Sequence, residues 1–381
     1  MKKIFIFGWI FQRVLMHFGS LLKNLKLFEV LKCPYIKINN MHTPSSETEL
    51  DGLLSEPSEQ LIEMMRNLPG DITIVGANGK IGLSQSYMAK RAIERAGVNK
   101  KVIAVSRFTD QAGRNKLESW GVNTISCDLL DTEKLKKTPI TDNVIFMAGR
   151  KFGTTGSEPL TWAMNGLTAA NCAAHYKGSR IVAFSTGCVY PLVKAETGGS
   201  KETDRPEPVG EYAQSCLCRE RIFEHYAITD NTPVLLFRLN YATDLRYGVL
   251  YDIGVKIWND EPVITGVDFF NIIWQRDVNN YALLALQKTA TPAEVLNVTG
   301  EGILSVQEVA KEMGAIMHKQ VRIISHGQDR SYLNDASKSF RYFGKPSVSS
   351  QELIRMQAEW IMQGGKGLNK PTHFEVYDGN F

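Results

Sequence analysis

The feature that most constrains the fold is a glycine-rich segment at residues 76–82, with the sequence GANGKIG. The run before it, Ile72–Val75, is apolar and β-branched and predicts a buried strand, whereas the amphipathic run after it predicts a helix. Gly76 permits a tight turn, Gly79 lets the backbone approach a ligand, and Gly82 lets the helix pack closely on the strand. Because a helix begins here with free N–H groups, the segment predicts a pyrophosphate site of a bound dinucleotide.

Further along, short apolar runs alternate with longer amphipathic stretches up to residue 241, which predicts an α/β fold with a doubly wound parallel Rossmann sheet at 71–241. Buried strands are predicted at 72–75, 102–105, 143–147, 181–184 and 234–237, a shorter strand is a candidate at 124–127, and helices are predicted at 81–96 and 160–175. The regularity fades at 242–345, where helices are predicted at 277–287 and 305–313. This part is expected to be a smaller α/β substrate-binding region, interleaved with the Rossmann domain.

The ends of the chain differ from this pattern. Residues 1–40 hold an apolar run too short to span a bilayer, and Met41 begins a polar segment that resembles a normal start. We therefore expect 1–40 to be a poorly ordered extension, with a basic interfacial anchor as the alternative. Residues 41–70 are predicted to be a helical lead-in, and 346–381 a C-terminal helix and tail.

Composition excludes several classes of protein. The 381 residues carry a net charge of +4 without a basic run, so no nucleic-acid surface is expected. Neither a membrane span nor a metal site is predicted, because no apolar run is long enough and no His/Cys cluster has zinc spacing. Six cysteines without a CxxC pair indicate reduced thiols in a cytoplasmic protein.

The end of the second predicted strand bears on the cofactor. NAD sites usually place an Asp or Glu there to hold the ribose 2′-hydroxyl. This chain has Ser106 and Arg107, which suit a 2′-phosphate, and Lys80 adds a second cation. The residues therefore favour NADP, with NAD as the second choice. Asp128, after the third strand, is expected to contact the adenine.

Besides GxxGxxG, the chain carries a series of short motifs, which are, in chain order, Cys127-Asp128-Leu129, Met147-Ala148-Gly149, Ser157-Glu158-Pro159 with Asn165, Ser185-Thr186-Gly187-Cys188-Val189-Tyr190, Tyr212-Ala213-Gln214-Ser215 with Glu220, Arg238-Leu239-Asn240, Arg276-Asp277-Val278 and Leu296-Asn297-Val298. On these motifs the chain resembles, over residues 71–345, the extended short-chain dehydrogenases/reductases, also called the NAD-dependent epimerase/dehydratase family. Each motif is weak alone, but their joint order is specific.

The resemblance implies hydride transfer on a sugar, sugar acid or nucleotide sugar by an oxidoreductase or epimerase. It makes Tyr212 the group that moves the proton and Thr186 the group that orients the substrate oxygen. The implied cofactor-binding residues are Gly76, Asn78, Gly79, Lys80, Ile81, Gly82, Ser106, Arg107, Asp128, Leu129, Ala148, Gly149 and Tyr212. Position in loops facing the cleft suggests Lys151, Asn240, Tyr241 and Arg246 for the carbohydrate-like substrate. The family also implies a homodimer built through the Tyr212 helix.

One departure from the family affects catalysis. The family's catalytic Tyr is followed four residues later by a Lys, and this chain has Cys216 there. A neutral thiol does not stabilise a phenolate, whose unperturbed pKa is near ~10. Three alternatives are open: Arg219 or Lys151 substitutes for the lysine, Tyr212 works with less activation, or the protein is a catalytically silent NAD(P)-binding regulatory or structural protein.

Two further departures bear on the substrate. Family dehydratases carry an acid directly after the Thr, and this chain has Gly187 and Cys188, so elimination of water is not expected. Family epimerases often carry an arginine for the diphosphate at a position that here falls in Phe270-Asn271-Ile272. Arg246 and Arg276 are the candidates to replace it.

Overall fold

The computed structural model describes residues 41–381 except 152, 154, 371, 375, 377, 380 and 381, and the backbone alone at 327 and 328, so the extension predicted at 1–40 lies outside the described residues. Two helices lead into the domain, α1 (Glu47–Leu54) and α2 (Glu59–Asn67). Each begins at a serine, Ser46 or Ser58, whose side chain accepts a hydrogen bond from a first-turn N–H. Within the described chain, no helix is long and apolar enough to cross a membrane.

Strands and helices alternate through the first half of the fold. In chain order they are β1 (Ile72–Val75), α3 (Gly82–Ala96), β2 (Val102–Ser106), α4 (Gln111–Ser119), β3 (Asn123–Ser126), α5 (Thr132–Leu135), β4 (Asn143–Phe146), α6 (Glu158–Trp162), α7 (Thr168–His175), β5 (Arg180–Thr186), β6 (Val193–Lys194), α8 (Gly210–Thr229) and β7 (Val234–Leu239). The helix predicted at 160–175 is divided, because a π-helical turn, Ala163–Leu167, joins α6 to α7.

The second half mixes short strands with helices. Its elements are β8 (Ala242–Thr243), α9 (Val249–Trp258), β9 (Val263–Val267), β10 (Phe269–Phe270), β11 (Ile273–Trp274), α10 (Gln275–Leu284), β12 (Glu294–Val298), β13 (Leu304–Ser305), α11 (Val306–Met317), β14 (Ile323–Gln328), β15 (Arg330–Ser331), α12 (Ser337–Phe343) and α13 (Ser350–Met362). As the capping pattern predicts, the Ser305 side chain accepts a hydrogen bond from Glu308 N at the start of α11.

Seven strands of the described chain form one parallel sheet, in the order β3-β2-β1-β4-β5-β7-β12. The predicted Rossmann fold is confirmed. Strand order reverses between β1 and β4, and ligands of open α/β sheets bind in the crevice outside the carboxyl ends at such a point. Because β12 comes from the second half of the chain and pairs with β7, the two regions are interleaved.

The central strands of the sheet are buried on both faces, whereas the edge strand β3 is partly exposed. Ile72 and Ile74 of β1 pack into one apolar cluster with side chains of α3 and α10, while Val75 packs into a second cluster with residues of α7 and α8. In the second half of the chain, α9, α11 and α13 pack closely: a Cβ at Gly254 would lie 2.6 Å from Ile361 Cδ1 and 2.7 Å from Met313 Cε. The carboxyl edge of the sheet and α9 therefore bound a common cleft.

Candidate active site

Close contacts and hydrogen bonds with neighbouring backbone hold the glycine turn between β1 and α3 in place. Gly76 has a φ of +86°, and a Cβ there would lie 2.7 Å from the backbone nitrogen of Ala148, at the end of β4. A Cβ on Gly82 would lie 2.5 Å from the carbonyl oxygen of Ala77. The N–H groups of Gly76 and Ala77 both donate to Val105 O, at 2.8 and 3.3 Å. Glycine is therefore required at both ends of the turn for steric reasons.

The N-terminus of α3 is open to an anion. Its N-cap residue is Ile81, whose side chain has no hydrogen-bond acceptor, so no side chain caps the first-turn N–H groups. Gly79, Lys80, Ile81 and Gly82 line the adjoining cleft. Free N–H groups and the positive end of the helix dipole give this turn the chemistry to bind a phosphate group.

The cleft has a volume of about 440 Å³ and extends from this turn past the ends of β4, β5 and β7 to the start of α9. Its lining includes most of the residues predicted for catalysis, cofactor binding or substrate binding: Gly76, Asn78, Gly79, Lys80, Ile81, Gly82, Gly149, Lys151, Thr186, Tyr212, Asn240 and Tyr241. Ala148 is buried beside it and packs against Gly76. This volume lies within the range of small-molecule binding sites, about 300–1,000 Å³.

The phenol of Tyr212, in the first turn of α8, is hydrogen-bonded to Thr186 at the end of β5. Burial raises the pKa of Tyr212 well above its usual value, and the neighbouring thiols of Cys216 and Cys188 add to that increase. Cys216 is fully buried, shares a hydrogen bond with Tyr212, and has its own pKa raised to about 11, chiefly by burial. Both groups are therefore neutral near pH 7.

Arg219, one turn further along α8, supplies a buried positive charge to this site. Its charge opposes the increase in the pKa of Tyr212, as does the Thr186 hydrogen bond. The guanidinium donates from Nη1 to Phe184 O at 2.9 Å and from Nη2 to Asn165 Oδ1 at 2.6 Å. Lys151 is a second nearby cation, with Nζ 5.9 Å from the centroid of the Tyr212 ring.

Asn165 organises the loop that follows β4. It lies in the π-helical turn, where its Oδ1 accepts from Arg150 N at 2.8 Å and its Nδ2 donates to Arg150 O at 3.0 Å. A second Nδ2 hydrogen bond reaches Ser215 Oγ on α8 at 2.8 Å. π-Helical turns often occur at functional sites. Here the turn places the Asn165 side-chain amide where it hydrogen-bonds both the loop after β4 and α8.

Several family motifs meet in a buried polar network beneath the cleft. Arg238 of β7 pairs with Glu220 of α8, with Nη2 2.6 Å from Oε2. Ser185 Oγ donates to Glu220 Oε1 at 2.5 Å, and Arg238 Nη1 donates to the Tyr190 hydroxyl at 2.6 Å. Tyr190 in turn donates to Asn297 Oδ1 of β12 at 3.0 Å. The network ties α8 to three strands and fixes the helix that carries Tyr212.

The residues predicted for the adenosine half of a cofactor stand at the ends of β2 and β3. Arg107 is exposed, and its carbonyl oxygen accepts from Ser126 Oγ at 3.2 Å. Ser106 ends β2, Leu129 is buried, and Asp128 Oδ1 accepts from Leu130 N at 3.0 Å. These residues do not belong to the described lining of the 440 Å³ cleft. They form a separate group at the neighbouring sheet edge.

The predicted substrate residues divide into two groups. Lys151, Asn240 and Tyr241 line the cleft, although the Asn240 amide donates to Tyr332 O at 2.9 Å and so also has a structural role. Arg246 lies apart from them. It is buried in ion pairs with Asp244, at 2.8 Å, and Asp51 of α1, at 3.0 Å. This guanidinium is therefore ion-paired with α1 and is not part of the described cleft lining.

The cleft residues that were not predicted include Tyr247, Lys370 and Thr372. Tyr247 lies under Lys80, with Nζ 3.4 Å from the ring centroid. Lys370 and Thr372 belong to the segment after α13. The sequence of that segment has no periodic pattern, so nothing in it signals a return to the cleft.

Arg276, the other candidate for the diphosphate, donates from Nε to Glu56 O at 2.9 Å.

Comparison with known proteins gives the family. Residues 72–241 match the family model described as the NAD dependent epimerase/dehydratase family. The domain at 72–241 belongs to this family. The match covers β1 to β7 and therefore includes the glycine turn, Thr186 and Tyr212. No curated protein matches the chain significantly by sequence.

Solved structures extend the likeness beyond that domain, at low identity. A UDP-glucuronic acid 4-epimerase from Bacillus cereus in complex with NAD is 18% identical, with a TM-score of 0.65 over 78% of this chain and 99% of that one. A UDP-galactose 4-epimerase is 20% identical, with a TM-score of 0.62 over 77% and 99%. A dTDP-glucose 4,6-dehydratase from Bacillus anthracis in complex with NAD is 17% identical, with a TM-score of 0.64 over 77% and 96%. At these identities the likeness concerns the fold.

Proposed function

We propose that this protein is an NAD(P)-dependent epimerase or dehydrogenase that oxidises a hydroxyl group of a nucleotide sugar or a related sugar acid. The observation that carries the proposal is the hydrogen bond between Thr186 and Tyr212 in the same cleft as the glycine turn at 76–82. Structural neighbours that act on UDP- and dTDP-sugars with NAD support it.

The residues present fit a dinucleotide. The turn exposes backbone at Gly76 and Gly79 beside the uncapped end of α3, which is the chemistry that a pyrophosphate requires. Asn78, Lys80, Ile81 and Gly82 complete this part of the site, Ala148 and Gly149 border its continuation at β4, and Ser106, Arg107, Asp128 and Leu129 would hold the adenosine end. When bound, the nicotinamide supplies the hydride acceptor.

The proposed proton transfer uses two side chains. The Thr186 hydroxyl orients the substrate oxygen, and the Tyr212 phenolate takes the proton of that hydroxyl group. The charge of Arg219 favours the phenolate, and Lys151 lies beside the Tyr212 ring as a second cation. Gly187 and Cys188 follow Thr186 without an acidic group, so elimination of water is not part of the proposal.

For the cofactor we propose NADP, with NAD as the second choice. Arg107 is exposed at the end of β2, and no ion pair joins it to another described residue, so its guanidinium is available to a 2′-phosphate. The NAD complexes of the neighbours support the second choice. Titration of the protein with each cofactor distinguishes NADP from NAD as the preferred one. Arg107→Ala should weaken NADP binding about tenfold and leave NAD binding within about twofold. Arg114→Ala, at an exposed ion pair on α4, is the control.

The alternative function is dinucleotide binding without turnover. It is favoured by the raised pKa of Tyr212 and by Cys216 in the place of the family's lysine. The two candidates are separated by screening nucleotide sugars and sugar acids against the cofactor-loaded protein, and by following reduced cofactor near ~340 nm. Tyr212→Phe should abolish turnover, whereas Tyr226→Phe on the same helix should not. Failure of every substrate with an intact cofactor complex would leave only the binding function.

The homodimer remains a proposal, and an apolar surface supports it. Large apolar side chains are exposed along α6, the π-helical turn and α8: Leu160, Trp162, Leu167 and Ile228. Such patches commonly mark subunit interfaces. Light scattering should give twice the chain mass, and Leu167→Glu should return the monomer.

A further inference from the structure

The chain after α13 returns to the cleft. A Cβ at Gly367 would lie 2.1 Å from the Tyr251 hydroxyl on α9, and Leu368 N donates to Arg246 O at 2.9 Å. Thr372 donates from both N and Oγ1 to one oxygen of Asp252, at 2.8 and 2.6 Å. The described residues of 366–379, here called the C-terminal segment, are therefore fixed to α9.

The same segment reaches the start of α8, the Tyr212 helix. A Cβ at Gly210, the first residue of α8, would lie 2.4 Å from Gly379 O, so the two backbones are in close contact. Phe374 is buried between these two attachments. Lys370 and Thr372 thus enter the cleft lining from a segment held at α9 and at α8.

Three lysines meet in this cleft from three different parts of the chain. Lys80 comes from the glycine turn, Lys151 from the loop after β4, and Lys370 from the C-terminal segment. Burial, together with the charges of Lys151 and Lys370, lowers the pKa of Lys80 to about 7, and the Asp252 carboxylate opposes the decrease. Tyr247 contributes its ring face to Lys80. Three lysine side chains that line one partly buried cleft give it a positive potential, which favours the binding of an anion.

We propose that the C-terminal segment completes an anion subsite, in which Lys370 together with Lys80 and Lys151 binds a phosphate or carboxylate group of the substrate. The inference rests on the proposed function, which gives the cleft a cofactor and a sugar substrate. It adds that the C-terminal segment contributes a cation to the binding of the anionic group of that substrate. The cofactor pyrophosphate has the same chemistry, and the experiment distinguishes the two.

Binding of an anion at this subsite should be coupled to the uptake of a proton. An anion that binds to Lys80 favours the ammonium form, so binding near pH 7 to 8 takes up a proton. The uptake is measured by calorimetry in buffers of different ionisation enthalpy. Lys80→Met should abolish it.

The test compares Lys370→Gln with Lys366→Gln in the full-length protein. Lys366 is exposed in the same segment and lies outside the cleft lining, so it is the matched control. Inorganic diphosphate and UDP are titrated into protein saturated with dinucleotide, and the dinucleotide is titrated separately. Lys370→Gln should weaken diphosphate and UDP binding about tenfold at low salt, with dinucleotide affinity within about twofold. Lys370→Arg should restore most of the loss, and Lys366→Gln should change neither.

Two results would overturn the inference. One is equal diphosphate and UDP affinity for both glutamine variants, which means that Lys370 contacts no substrate anion. The other is a loss confined to the dinucleotide, which assigns the lysines to the cofactor. Failure of the proposed function gives a different result: wild-type protein then turns over no sugar substrate, with or without a bound dinucleotide, while diphosphate titrated into that protein still reports on Lys370.

Discussion

The Arg219 guanidinium lies against the side chain of Asn165, with Nη2 2.6 Å from Oδ1. The contact joins α8 to the π-helical turn, and the missing side chain of Gly149 makes room for it, since a Cβ there would lie 2.4 Å from the same Nη2. A buried cation is thereby fixed at the cleft, one turn along α8 from Cys216. Among the alternatives for the missing lysine, this geometry favours Arg219 as the substitute.

Replacement of Arg219 should therefore change the pH dependence of the reaction. The guanidinium lowers the pKa of Tyr212, so Arg219→Met removes that effect and the pKa rises. Because the proposed base is the deprotonated phenol, the rising limb of kcat/KM should move to higher pH, and activity at pH 7 should fall about tenfold or more. Arg221→Met, at an exposed ion pair on the same helix, is the control. A pH profile identical to that of the wild type would show that Arg219 has only a structural role.

Restoring the family's lysine should harm this protein. Cys216 is fully buried beside Arg219, so Cys216→Lys introduces a second cation next to a guanidinium that is already in place. We expect a loss of about 2–4 kcal/mol in the free energy of unfolding, measured by urea denaturation, and lower activity. Cys216→Ser should be close to wild type. Combining Cys216→Lys with Arg219→Met should recover part of the stability. A stable and more active single variant would instead identify the site as a weakened form of the family's.

The parts of the fold that follow from local sequence were predictable. β1 spans the predicted 72–75, and β4 ends one residue short of its prediction, because short β-branched runs between turns are buried strands of a parallel sheet. The glycine turn was equally accessible: the spacing of Gly76, Gly79 and Gly82 follows from a strand, a turn and a helix N-terminus in sequence. Each of these features depends on residues close together in the chain.

The parts of the fold and of the site that depend on contacts between residues distant in the chain were not predictable from the sequence. Arg246 follows β8 and was expected in the cleft, but Asp51 of α1, far earlier in the chain, pairs with it. Lys370 enters the cleft because Asp252 holds Thr372, and neither the aspartate nor the threonine carries a sequence pattern. Sequence shows which side chains carry charge. Which charges meet is decided by the tertiary packing of α1, α9 and the C-terminal segment.

The buried pair beneath the cleft should dominate the stability of α8. The side chain of Glu220 is 0% exposed and that of Arg238 is 3% exposed. Glu220→Gln leaves the guanidinium buried without a counter-charge, so unfolding in urea should show a loss of about 3–5 kcal/mol. Glu224→Gln breaks the exposed pair with Arg221 and should cost less than about 1 kcal/mol. Similar losses in the two variants would contradict the assignment of the network as a support of the site.

A carboxylate in α10 should make stability fall as the pH rises. Burial raises the pKa of Asp277 to about 6, although the side chain accepts a hydrogen bond of 3.0 Å from Ser347 N and lies near the charge of Arg276. The unfolded chain has a pKa near ~3.9 at this position, so the folded protein holds the proton more tightly and loses stability between about pH 4 and pH 6. Asp277→Asn cannot ionise and escapes this loss.

The free energy of unfolding of Asp277→Asn, relative to wild type, should therefore increase from pH 4 to pH 6 and level off above it. The increase should be on the order of 2–3 kcal/mol, because each unit of pKa corresponds to about 1.4 kcal/mol. Urea denaturation of both proteins in steps across this range measures it. A difference that stays constant with pH would mean that Asp277 titrates alike in the folded and unfolded chains. The proximity of Arg276 would then have offset the burial of the carboxylate.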